Sequence, residues 1–243
     1  GPPMLNLSEL FNLVDQSYDE IIALEQDLVQ IPTVNMGVMP TGYETKVCNY
    51  LKERLSREGI QGETIESSPG RGNFFATLIG SAREPSMIYM SHTDVVPVET
   101  ETEWICPPFS GEIIGSRLYG RGSSDCKALL TCQSMAMIIL KRANIQLKGD
   151  LILAACADEE AGGRYGVGWL AKHHPDRLKA NYCINEGGGD VVRRTGAPAY
   201  LFGIGEKGRL EVDIKVNGVP CHASTPWNST NALTKSAEVL RRI

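Results

Sequence analysis

The sequence predicts an α/β domain built on a mostly parallel sheet flanked by helices, followed by the beginning of an α+β unit. Three observations lead there. Short apolar runs bounded by polar or glycine residues recur along the chain, stretches with helical spacing lie between them, and near residue 200 the alternation stops. In chain order, Ile21, Ile22, Leu24, Leu28 and Ile31 recur at helical spacing behind Ser8 as a cap, which predicts one or two helices over residues 8–31. A further helix has Thr41 as its cap, Val47, Tyr50, Leu51 and Leu55 as its apolar stripe and Gly59 as its end. Residues 74–79, 87–90, 151–157 and 182–185 read as strands buried on both faces, and residues 128–142 and 166–173 as helices between them. Beyond that, 200–204 and 210–216 read as strands with no helix between, and 228–243 as the start of a helix. The expected organisation is a large domain over residues 4–204 and an incomplete α+β unit over 205–243, with Gly1, Pro2 and Pro3 set aside as the remnant of a cleaved tag.

Length and composition agree with this outline. The 243 residues suffice for one large core plus an appendage, and 42% hydrophobic with 22% charged residues is the balance of a folded globular chain. A formal charge of −5 with no basic stripe argues against nucleic acid as a partner. No apolar run approaches the ~20 residues that cross a bilayer, and no leader pattern opens the sequence, so no membrane partner and a cytoplasmic location are expected. The seven cysteines are odd in number and form no C-x-x-C pair, so neither a disulfide frame nor a thiolate zinc site is indicated, and most are expected to be reduced and buried.

The chemistry concentrates where the predicted strands end, which is where open α/β sheets place ligands. Ser91-His92-Thr93-Asp94 follows one strand, Asp158-Glu159-Glu160 another, Glu186 a third, and Asp125 sits in a glycine-rich turn just before a helix. One imidazole and several carboxylates at a single edge repel one another unless positive charge lies among them, and a pair of divalent cations supplies it. Imidazole plus carboxylate without thiolate suits zinc first, with cobalt or manganese as substitutes. His92 and Asp94 are two residues apart and point the same way in a strand, so the Asp94 carboxylate is expected to orient the ring. Glu159 and Glu160 point apart, so that one can hold metal while the other acts as general base.

The ordered segments SHTDVVP (91–97), WICPPFSG (104–111), LYGRGSSDCK (118–127), DEEAGG (158–163), NEGGG (185–189) and HASTP (222–226) resemble the dinuclear zinc hydrolases that include aminoacylase, acetylornithine deacetylase, succinyl-diaminopimelate desuccinylase and glutamate carboxypeptidase. The resemblance implies that His92 and Glu186 hold one metal, that Glu160 helps hold the other, and that Asp125 bridges them. It further implies Glu159 as the acid/base, Asp94 as the orienter of His92, and His222 on a lid or dimerisation domain as the oxyanion donor to a partner subunit. Cys126, Ala128 and Cys221 depart from the family's usual residues without removing a ligand. The family's catalytic domain resumes after the lid with a second histidine ligand, a segment that this sequence does not contain. The expected activity is hydrolysis of an amide bond in an N-acyl amino acid or small peptide, by a homodimer formed through the lid. The alternatives are a dinuclear aminopeptidase, which lacks an inserted lid, and a catalytically silent or truncated metal-binding chain. His173 and His174, late in a helix, are read as exposed bystanders.

Overall fold

The computed structural model describes residues 5–193, 196–201, 203–205, 208 and 212–243. These fall into two compact units, Gly1–Gly187 and Gly188–Ile243. The division precedes the 204/205 boundary drawn from the sequence, because the two lines mark different things: the end of dense packing in one case, the end of strand–helix alternation in the other.

In the first unit, helices α1 (Leu7–Gln16), α2 (Tyr18–Val29) and α3 (Thr45–Ser56) lead into strands β1 (Gly62–Glu66), β2 (Gly72–Leu78) and β3 (Arg83–His92). A small antiparallel pair, β4 (Glu112–Ile114) and β5 (Arg117–Tyr119), precedes α4 (Lys127–Arg142), β6 (Gly149–Cys156), α5 (Val167–His173) and β7 (Tyr182–Ile184). The main sheet runs in the order β1-β2-β6-β3-β7. Strands β6, β3 and β7 are parallel, and β2 and β1 continue antiparallel from β6 to one edge.

Period-two alternation divides the sheet's side chains between two cores. Phe74, Ala76, Leu151, Leu153 and Ala155 face Leu24 and Leu28 of α2, Val47, Leu51 and Leu55 of α3, and Leu130, Met135 and Ile138 of α4. Phe75, Ala154, Cys156 and Ile88 face the other way, onto Leu170 of α5. The α/β class and the central parallel strands match the sequence reading.

Details differ where local polar chemistry outweighs the apolar pattern. Asn6, not Ser8, caps α1, accepting the Glu9 amide at 2.9 Å while the Glu9 side chain accepts the Asn6 amide at 2.7 Å, a capping box. Thr41 caps nothing, for its hydroxyl donates to the Val34 carbonyl at 3.0 Å and accepts the Met36 amide at 2.6 Å in the loop before α3. Residues 182–185 were expected to be buried on both faces, yet β7 is the sheet's edge strand, with Tyr182 60% and Ile184 45% exposed.

The second unit holds strands β8 (Val191–Val192) and β9 (Ala199–Tyr200), paired antiparallel, and helix α6 (Ala232–Arg242). Asn231 caps α6, accepting the Leu233 amide at 2.8 Å. The strand expected over 210–216 does not form at residues 212–216, while Leu210 and Glu211 lie outside the described residues, as does Phe202 of the run 200–204.

Candidate metal centre

Parallel pairing brings the chemistry to one edge. His92 lies opposite Cys156 in the β3–β6 register and Tyr89 opposite Ile184 in β3–β7, so Asp158-Glu159-Glu160 and Glu186 emerge beside His92. Asp125 arrives from the turn before α4. Gly122 makes that turn possible, since its φ of 87° is left-handed and a Cβ there would collide with Val95. Buried Lys127 then ties the start of α4 to the end of α2, donating to the Leu28 and Ile31 carbonyls at 2.8 and 2.7 Å.

His92 is the hub. Its Nε2 lies 2.9 Å from Asp125 Oδ1, 3.3 Å from Glu186 Oε1 and 3.8 Å from Glu159 Oε2. Donor atoms of His92, Asp125, Cys126 and Glu186 all fall within 4.8 Å of one another, and so do those of His92, Glu159 and Glu160. The structure therefore brings together five of the sequence-predicted residues, His92, Asp125, Glu159, Glu160 and Glu186.

Electrostatics show what such a nest lacks. Burial opposes charge on the imidazole, but hydrogen bonding with Asp94 and Cys126 and the charge of Asp94 prevail and push His92 up to about 12. Burial first, then the charge of Asp125, raises Glu160 to about 7. Glu159 is raised too, by burial and by the charges of Glu186, Asp94 and Asp125 against the opposing pull of His92. Carboxyls shifted toward their neutral forms and an imidazole shifted toward its charged one are the response of a crowded anionic cluster. Imidazole nitrogen and carboxylate oxygens at this spacing fit one or two divalent cations.

Asp94 departs from its expected part. The His92 Nδ1–H donates to the Asp94 backbone carbonyl at 2.9 Å, and the carboxylate stands off at 3.4 Å. That fully buried carboxylate instead accepts the Glu159 and Glu160 amides at 3.0 and 3.1 Å and the Asn35 Nδ2 at 2.8 Å. These donors and His92 hold Asp94 below the usual carboxylate range despite its burial. It orders the Glu159–Glu160 turn at least as directly as it orders the ring. Cys126 is buried as well: its thiol accepts the His92 amide at 3.2 Å and donates to the His92 carbonyl at 3.4 Å, fixing the backbone beneath the ring.

Sequence reading misses the residues behind the turn. Arg71, Glu44 and Asn35 are all buried and meet at Asp158. They come from separate loops and belong to no motif, so nothing in the sequence flags them. His222 lies in the second unit, its Nδ1 2.7 Å from the Ser224 hydroxyl. His173 and His174 close α5, where their rings lie 4.7 and 5.1 Å from that of Trp169.

Comparison with known proteins places this arrangement. The chain is 31% identical over 217 residues to a probable succinyl-diaminopimelate desuccinylase of Staphylococcus epidermidis, covering 89% of this chain and 49% of that protein. It is 30% identical over 228 residues to an uncharacterised metallohydrolase of Methanocaldococcus jannaschii, covering 88% and 53%. In structure it is similar to an M20 family metallo-carboxypeptidase of Sulfolobus solfataricus, at a TM-score of 0.59 and 27% identity over 70% of this chain and 38% of that one. The chain thus spans about half the length of the curated relatives it matches. The family model of peptidase family M20/M25/M40 matches residues 88–242, and the chain belongs to this family of metal-dependent hydrolases.

Proposed function

We propose that the protein is a zinc hydrolase, with cobalt or manganese as substitutes, that cleaves an amide bond of an N-acyl amino acid or small peptide. The observation that supports it most is the single imidazole and four carboxylates gathered in an anionic nest at one sheet edge. The relative named for succinyl-diaminopimelate, itself an N-acyl amino acid, supports the substrate class. His92 and Glu186 would hold one ion and Glu160 the other, with Asp125 spanning both. Such ions, when bound, would supply Lewis-acid chemistry, lowering the pKa of water and polarising the scissile carbonyl.

Glu159 is the general base. Its Oε2 stays 3.8 Å from His92 Nε2, near the ligands without being bonded to the ring. A carboxyl raised by burial and by its acidic neighbours can take a proton from water and return it to the leaving amine. His92 keeps its Nδ1–H on the Asp94 carbonyl, which leaves Nε2 to face the cation. His222, carried by the second unit acting as a lid and homodimer contact, would donate to the oxyanion in the partner's site. Seven free cysteines fit a reducing, cytoplasmic setting.

Metal content and turnover, measured together, test this. In the protein carrying this chain, Glu159→Gln should leave bound zinc unchanged and lower kcat by about 10²-fold or more. Loss of zinc with unchanged turnover per bound metal would exchange the parts given to Glu159 and Glu160.

A further inference from the structure

We infer that Arg71 is a positioning residue for Glu159 and Glu160: with Asn35 it clamps Asp158 in the one backbone conformation that turns both following amides onto Asp94. The inference rests on the metal-centre reading above and extends it to residues well outside the site's motifs.

The geometry is continuous from the core to the site. Arg71, 1% exposed, grips fully buried Glu44 with two bonds, Nε to Oε2 at 2.7 Å and Nη2 to Oε1 at 2.9 Å. The same Nη2 reaches Asp158 Oδ1 at 2.8 Å, and Glu44 Oε1 also accepts the Asp158 amide at 3.3 Å. Asn35 Nδ2 donates to both Asp158 Oδ1 and Asp94 Oδ2, each at 2.8 Å, so one amide group joins the two carboxylates. Asp158 Oδ2 accepts the Tyr165 amide at 2.9 Å.

Asp158 needs this many partners. Its φ of 65° is left-handed, a conformation that is unfavourable for a non-glycine residue and persists only when its surroundings enforce it. From that turn the Glu159 and Glu160 amides both reach Asp94. Were Arg71 removed, Glu44 and Asp158 would face each other as buried carboxylates with no cation between them. Lysine in its place keeps the charge but lacks the planar fork that serves two carboxylates at once.

A buried ion pair that merely stabilises the core makes a different prediction, and amide-resolved hydrogen exchange separates the two. On the whole metal-free chain, Arg71→Lys should speed exchange of the Glu159 and Glu160 amides by about tenfold or more while the β6 amides change little, because the clamp governs a local opening. Asn35→Ala, which removes the amide group joining Asp158 to Asp94 but leaves the Arg71–Glu44 pair intact, should do the same and decides the matter if Arg71→Lys fails to fold. Leu55→Ala, a cavity in the core, should speed exchange without singling out Glu159 and Glu160. In parallel, cobalt(II) titration should show affinity falling about 10- to 100-fold in both clamp variants, the range for outer partners of a metal site. Unchanged protection of Glu159 and Glu160 in a folded variant, or a rise matched throughout β6, would overturn the clamp. A selective rise in exchange in a chain whose wild type binds no cobalt would uphold the clamp and sink the metal-centre reading.

Discussion

Asp94 shows how far a motif carries a single residue. The His-x-Asp spacing puts Asp94 beside His92, and the structure keeps it there, but the ring's N–H goes to the Asp94 carbonyl and the carboxylate gathers the Glu159 and Glu160 amides. Spacing in a strand fixes which side chains share a face; it does not reveal which of two oxygens, main-chain or side-chain, takes a given proton. Asp94→Ala should therefore weaken zinc binding about 10- to 100-fold. Asp94→Asn, which keeps the shape and one acceptor oxygen, should weaken it less. Competition with a chromophoric chelator measures both, and an unchanged affinity in Asp94→Ala would remove Asp94 from the site's support.

At the scale of elements, periodicity was informative wherever a face is apolar and uninformative wherever polar groups decide. Leu51 and Leu55 of α3, and Leu153 and Ala155 of β6, lie in the core where their spacing puts them. The start of α1 and the part played by Thr41 escape the pattern because side-chain bonds to nearby amides leave little trace in hydropathy: Asn6 sets where α1 begins, and Thr41 spends its hydroxyl within the loop before α3. The packing of α2 on α4 holds a further polar feature of this kind. Glu25 of α2 is 7% exposed, its Oε2 accepts the Thr131 hydroxyl of α4 at 2.5 Å, and burial raises its carboxyl to about 7. A carboxyl whose folded pKa exceeds its unfolded value favours the fold fully below the unfolded value, near 4.5, and loses that contribution as pH rises through about 7. Glu25→Gln should thus flatten the fall in stability between about pH 4.5 and 7, as urea denaturation along a pH series would show. A parallel pH profile in wild type and variant would mean that Glu25 is ionised throughout.

For the whole molecule, the first unit is largely legible because its candidate site residues follow short apolar strands or precede a helix in a fixed order, whereas the second has few apolar runs long enough to declare themselves. Strand β7 is the instructive case: its sequence reads as interior, yet it forms an exposed edge of the sheet. An exposed apolar edge invites pairing with another chain. X-ray absorption at the zinc edge of the dialysed, zinc-loaded chain reads whether His92, Asp125, Glu159, Glu160 and Glu186 surround a metal centre. Such a centre should retain zinc with one imidazole and carboxylate oxygens at about 2.0–2.2 Å and no sulfur near about 2.3 Å. Zinc lost on dialysis, or a first shell containing sulfur or several imidazoles, would contradict it.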